Sequence, residues 1–339
     1  MDLPSGTWMP NDTDGPFVAV DAMGGDKAPV EIIAGCQRIV EEDGIKVVVV
    51  GPPDRVGDVG LLPLFPCSEV ISMDEDPVQG VRRKKDSSLV RAAELVRDSK
   101  AIAMVSAGNT GATMAAALLR MGRLPGVIRP CIATPLPRLG ERPAVLVDAG
   151  ANAECTPAML VQFARMGVAY ARSRFEIDDP TVGLLSIGEE SAKGTPLVKQ
   201  THAMLSDDSS GLAFVGNLEG RDLMPSKADV VVTDGFTGNV VLKTLEGTLR
   251  FIFDTVVKII GTDDETLNAG NVLLPHLLGV ASQFDPENTG GAMLLGVDGV
   301  CVISHGSSSA LAIANAIRVA HEVSTRGMVA RISEAVSDS

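Results

Sequence analysis

The chain has 339 residues, 45% of them hydrophobic and only 3% aromatic, with a formal net charge of −14. A core of that size must be built from aliphatic side chains, and so few rings argue against single-strand nucleic-acid binding by base stacking. The acidic balance repels nucleic acid and anionic lipid, so an acidic partner must find a local basic patch.

Residues 1–16 (MDLPSGTWMPNDTDGP) lack the basic start and apolar stretch of a signal peptide. Their Pro, Gly and Asp read as a disordered tail that carries Trp8, the only Trp. The first predicted strand, 17–21, ends on Asp21 and is followed by Gly24, Gly25 and Asp26, then a helix over 30–42. VDAMGGDKAP does not match a dinucleotide fingerprint, so it reads as a tight βα turn or as a ligand loop. Strands are predicted at 46–51 and 69–73. The basic run Arg82, Arg83, Lys84 and Lys85 in VRRKKDSS reads either as a solvated helix face or as a docking patch for an acidic partner.

After a helix over 88–98, residues 101–119 carry no charge and could pass for a membrane span. Ser106, Gly108, Asn109, Thr110 and Gly111 interrupt that run, and a strand over 101–106 followed by a helix over 109–121 accounts for them better. Strands at 131–134 and 144–148 follow, the second ending on Asp148 before AGAN, and then a helix over 156–172. Strand 182–187 leads into SIGEESAKG, where Lys193 sits among Glu189, Glu190 and Gly194. It reads as a solvated Lys or as an oxyanion contact. A helix over 195–206 and a strand over 212–216 lead to Asn217. Strand 229–233 leads to Asp234 and GFTGN, where Thr237 and Asn239 open a helix over 237–260.

The segment 261–291 breaks the alternation and reads as a helical insertion whose second helix begins at Pro275. Leu273, Leu277, Val280 and Phe284 form an apolar stripe on it. Strand 300–304 ends at His305 and GSSS, with Ser307 and Ser308 at the start of a helix over 307–323. Residues 331–339 are left as a C-terminal tail.

Alternating strands and helices predict a three-layer α/β/α fold with a mostly parallel sheet, one catalytic unit over 17–330. The polar loops fall after the strands, so they are expected at one end of the sheet, where open α/β sheets bind ligands. Helix N-termini there suit a phosphate-like anion. The five cysteines form no CxxC pair and read as reduced thiols of a cytosolic protein. The four histidines show no metal-ligand spacing. No nucleophile elbow or P-loop is present, and Cys155 reads as structural, so a covalent acyl-enzyme is not suggested.

The set VAVDAMGGDKAP, VRRKKDSS, SAGNTGA, DAGAN, VGLLSIGEESAKG, VGNLEGRD, DVVVTDGFTGNVVLKTLEG and GGAMLLGVDGVCVISHGSSSALAIANAI resembles the bacterial phosphate acyltransferases of phospholipid synthesis, from residue 17 to about 325. The resemblance implies transfer of a long-chain acyl group from acyl-acyl-carrier-protein to inorganic phosphate. The acyl phosphate product would feed a membrane glycerol-3-phosphate acyltransferase. It further implies a fold similar to the phosphotransacetylase and isocitrate-dehydrogenase type, a homodimer, no cofactor, and catalytic roles for Lys193 and Asn239. Asp21, Gly24, Gly25, Asn109, Thr110, Asn217, Asp234, Thr237, His305, Ser307 and Ser308 are the candidate phosphate and substrate contacts. The insertion has no Lys or Arg, which points to weak, transient membrane contact at most. A coenzyme A-dependent short-chain phosphotransacetylase and a non-catalytic scaffold are the alternatives.

Overall fold

Short apolar runs, several of them rich in Val, form the strands of one sheet, and amphipathic segments between them cover it. The computed structural model describes residues 15–138 and 140–337. The chain begins β1 (Phe17–Asp21), α1 (Val30–Asp43), β2 (Lys46–Gly51), α2 (Pro53–Val56), β3 (Leu64–Pro66), α3 (Pro77–Arg83), α4 (Ser88–Arg97), β4 (Ala103–Ser106) and α5 (Thr110–Arg120). It continues β5 (Cys131–Leu136), β6 (Ala144–Val147), α6 (Pro157–Phe175), β7 (Thr181–Leu185), α7 (Pro196–Leu205), β8 (Ala213–Leu218) and β9 (Val230–Val232). It closes with α8 (Gly235–Ile260), α9 (Asp264–Gln283), α10 (Pro286–Thr289), β10 (Ala292–Leu295), β11 (Val300–Ile303), α11 (Ala310–Thr325) and α12 (Met328–Ser337).

The sheet order is β3-β2-β1-β4-β11-β10-β5-β6-β9-β7-β8. Side chains alternate between its faces with period two. Val18, Val20, Val47 and Val49 meet Ile313 and Ile317 of α11 on one face, while Ala19, Val48 and Val50 meet Leu89 and Ala93 of α4 on the other. Both faces are therefore covered, as the continuous apolar strands require. The uncharged 101–119 run folds as β4 and α5. Among the described residues no helix is long and apolar enough to cross a membrane.

The sheet is mostly parallel, as expected, but three of its pairings are antiparallel. β10 is antiparallel to both β11 and β5, and β5 is antiparallel to β6. β1, β2, β3, β4 and β11 thus run one way, and β6, β7, β8 and β9 run the other. The polar loops do not share one end of the sheet. β5 and β6 have no helix between them, and a connection that short joins antiparallel strands.

Further corrections are local. Residues 69–73 form no strand; Glu69 makes an isolated bridge to Ser87, and β3 is the edge. Pro275 lies inside α9 rather than at a helix start, because the capping box of Asp263 and Thr266 starts the helix earlier. Residues 331–337 are not a tail: they belong to α12, whose Met328, Ile332 and Val336 are buried. Trp8 and nearly all of the predicted 1–16 tail lie outside the described residues.

α8 and α9 pack as a pair, with Gly270 seated against Ile260. The predicted stripe divides. Leu277 and Phe284 are half-buried along with Leu274 and Ala281, whereas Leu273 and Val280 are 55% and 40% exposed.

Candidate active site

Lys193 lies in the loop between β7 and α7. The Ser186 amide donates to the Leu218 carbonyl at 2.8 Å, and the Lys193 amide donates to the Glu190 carbonyl at 2.9 Å. The Lys193 stem lies against Gly188, where a side chain would collide with it. The residue is exposed, and among the described residues its ammonium makes no ion pair or hydrogen bond. Nearby Glu189 is paired with Lys227 at 3.6 Å.

Asn239 sits in the first turn of α8, after β9. This helix starts where it does because Asp234 caps it: Oδ1 accepts the Thr237 amide at 2.9 Å and Oδ2 accepts the Thr237 hydroxyl at 2.8 Å. The turn is seated on the loop after β6. The Gly235 amide donates to the Asn152 carbonyl at 2.8 Å, and a Cβ at Gly238 would overlap the Asp148 carbonyl oxygen. Asn239 projects from this platform beside Gly150, exposed, its amide without a partner among the described residues. β7 and β9 are parallel neighbours with Leu184 opposite Val232. Lys193 and Asn239 therefore leave the same end of two adjacent strands.

The remaining candidates divide between the two directions of the sheet. Asn217 and Asp234 and Thr237 lie with Lys193 and Asn239. Asn217 is buried, and both polar atoms of its amide are engaged within the protein, by Glu190 and His202. Asp21, Gly24, Gly25, Asn109, Thr110, His305, Ser307 and Ser308 lie at the ends of β1, β4 and β11, which point the other way. The expectation that these loops share one end of the sheet is corrected by that reversal.

In this second group most of the polar atoms are spoken for. Asp21 is buried, accepting the Ser106 hydroxyl at 2.8 Å and the Met23 amide at 3.1 Å. Burial pushes its carboxyl above the ordinary value, against the hydrogen bonds of Ser88, Ser106 and two backbone amides. Gly24 lets the two loops touch, since a Cβ there would stand 2.6 Å from the Gly108 amide nitrogen. Asn109 caps α5 and donates to the Met73 carbonyl at 2.7 Å. The Ser307 hydroxyl bonds the His305 ring at 2.8 Å, and Ser308 is buried. Ser309 caps α11, and the Ala310 amide donates to Glu31 at 2.6 Å, so carboxylate already occupies this helix start. Thr110 is exposed with its hydroxyl unengaged among the described residues.

The basic run ends α3, which packs on α5. Arg82, Arg83 and Lys85 are exposed, but Lys84 is spent on Glu75 and the Val70 carbonyl, both at 2.7 Å.

Asp148 is not among the candidate site residues read from the sequence. It is wholly buried and accepts five N–H bonds, from Ile132, Gly150, Ala151, and the backbone and side chain of Asn152, at 2.8–3.2 Å. Its place at the end of an apolar strand before a small-residue loop was the signal. Cys155 is half-buried beside this platform, and burial pushes its thiol up to about 11. Among the described residues no cluster of three or more His, Cys, Asp or Glu is arranged to hold a metal ion.

A family model described as fatty acid synthesis protein matches residues 17–331. A phosphate acyltransferase from Halothermothrix orenii is 44% identical over 335 residues, covering 94% of this chain and 98% of its own. Another, from Desulfitobacterium hafniense, is 47% identical over 326 residues, covering 94% and 96%. Among solved structures, a branched-chain phosphotransacylase from Enterococcus faecalis has a TM-score of 0.59 at 16% identity, covering 91% of this chain and 99% of its own. EutD phosphotransacetylase from Staphylococcus aureus has a TM-score of 0.56 at 15% identity, covering 92% and 94%. At such low identity these two likenesses speak for the fold, which is the phosphotransacetylase-like one expected. With the family model and relatives above 40% identity both spanning nearly its whole length, the chain belongs to the fatty acid synthesis protein family.

Proposed function

We infer that this protein is an acyltransferase with phosphate as the acceptor. The donor is a long-chain acyl thioester of acyl carrier protein, and the product is an acyl phosphate for phospholipid synthesis. The observation that carries the site assignment is the pair of donors unengaged among the described residues, the Lys193 ammonium and the Asn239 amide, in the segments that follow the adjacent parallel strands β7 and β9.

Phosphate at neutral pH is already a nucleophilic anion. One of its oxygens attacks the thioester carbonyl carbon; a C–O bond forms, the C–S bond breaks, and the carrier thiolate leaves to take a proton from water. Lys193 offsets the charge on phosphate or on the tetrahedral oxyanion, and Asn239 orients one substrate. Positioning and charge stabilisation supply the rate, so no activated side-chain nucleophile is needed. Acidic side chains around Lys193 make its charge the more important for drawing an anion in.

The protein works in the cytoplasm as a homodimer. The exposed apolar side chains of α8 and α9, Phe251 at 71% and Val272 at 69%, support a partner surface there. Asp263, Asp264, Glu265, Asp285 and Glu287 border the α9 face and disfavour anionic lipid, so membrane contact is weak.

Lys193→Ala and Asn239→Ala test the assignment. Each is expected to lower kcat/KM by roughly 100-fold, about 2.7 kcal/mol of transition-state stabilisation, with little change in Tm. Normal turnover in either variant removes that residue from the reaction.

A further inference from the structure

We propose that Asn217, backed by His202, is a positioning residue for Lys193; this rests on the catalytic role given to Lys193 above. Three hydrogen bonds form a continuous chain. The His202 ring nitrogen Nδ1 meets Asn217 Oδ1 at 2.9 Å. Asn217 Nδ2 donates to the Glu190 carbonyl at 3.0 Å. That same carbonyl accepts the Lys193 amide at 2.9 Å. Since Asn217 Oδ1 can only accept, His202 donates from Nδ1.

The geometry gives the chain a purpose. The loop from Ser186 to Gly194 carries an exposed, unpaired Lys193, and a flexible Lys stem cannot hold its own charge in place. The loop is tied to the sheet at its start by the Ser186–Leu218 bond, but its far side needs another anchor. Asn217 provides it from β8, 5% exposed, reaching across to the backbone turn on which Lys193 sits. His202 is itself held by α7 and by an edge-on contact with Phe214 at 5.2 Å between ring centroids. A buried amide with every polar atom engaged is rigid, and rigidity is what a charge-stabilising group requires. Both polar atoms of the Asn217 amide are engaged and the residue is buried, so it serves through Lys193 rather than by touching substrate.

The test is a double-mutant cycle on the full chain, with phosphate-dependent thiol release as the readout. Asn217→Leu, close in size, removes the donor while Glu190 keeps its bond from Lys193. It should lower kcat between about tenfold and 100-fold. In the Lys193→Ala background the same substitution should cost nothing further, because its effect passes through the missing ammonium. A purely structural residue would lower activity in both backgrounds. His202→Phe breaks the chain one link back with β8 itself unsubstituted, and serves if Asn217→Leu fails to fold. His202→Asn restores a donor in the Nδ1 position and should recover most of the activity lost in His202→Phe. Full activity in Asn217→Leu with Lys193→Ala inactive overturns this proposal alone, as does an equal loss in both backgrounds. Full activity in Lys193→Ala overturns the catalytic assignment beneath it.

Discussion

Asp234 closes on Thr237 twice, accepting its amide at 2.9 Å and its hydroxyl at 2.8 Å. The first turn of α8 therefore already holds a carboxylate where the sequence suggests a phosphate cradle. A phosphate bound by Asn239 and Lys193 would feel that negative charge. Asp234→Asn keeps an acceptor for the Thr237 amide and removes the charge, so KM for phosphate should fall. Asp234→Ala loses the cap and should cost about 1 kcal/mol of stability, read as a lower Tm. A higher phosphate KM in the Asn variant would show that Asp234 helps to order phosphate.

Asp21 gives stability a pH dependence. Its carboxyl is raised above the unfolded value of 3.8, chiefly by burial, so the fold favours the protonated form. The contribution is whole below the unfolded value and is lost as pH rises through the folded one. Asp21→Asn cannot ionise, so it should gain in Tm relative to wild type as pH rises from acid to neutral. A Tm difference that stays constant over that range contradicts the assignment.

Much of this fold is legible in the sequence. β1, β2 and the strand–loop–helix units around Asn109 and Asn239 follow from uncharged β-branched runs and their capping residues. β10 is hidden because AMLL is short and stands among Gly290, Gly291 and Gly296, so local pattern favours a turn. Without β10, and with β5 and β6 as two more strands of a mostly parallel sheet, the local pattern carries no sign of the reversal in strand direction. The grouping of Asp21 with Asn109 and of Lys193 with Asn239 depends on that long-range pairing, which side-chain periodicity does not encode. Asp148 carries the signal of a strand end before a small-residue loop, but a sequence pattern does not show that Ile132 and the loop after it all donate to this one carboxylate.

Cys155 tests the direct-displacement mechanism. Its thiol is pushed up to about 11 by burial, with Asp148 and Asp234 adding to the shift, so little thiolate exists at neutral pH. Cys155→Ser should turn over at the wild-type rate, and no acyl group should be found on the protein after quenching with acid. An acylated Cys155, or loss of activity in the Ser variant, would replace direct displacement with a covalent intermediate.

The basic run can be read at separate positions. Arg82 and Arg83 are exposed, whereas Lys84 is tied to Glu75. Arg82→Glu together with Arg83→Glu should raise KM for the acidic carrier-bound substrate, and the penalty should shrink with added salt. Lys84→Glu should instead show mainly as a lower Tm. An unchanged KM in the Arg double variant assigns the run to a solvated helix face.

The central claim is that phosphate is the acyl acceptor from a carrier-protein thioester. The most direct measurement supplies purified protein with a long-chain acyl-acyl-carrier-protein and follows free thiol and acyl phosphate with and without phosphate. Thiol release that requires phosphate and matches acyl phosphate mole for mole is the expected result. Thiol release at the same rate without phosphate, or acyl phosphate formed from acetyl-coenzyme A but not from the carrier-bound chain, would contradict it.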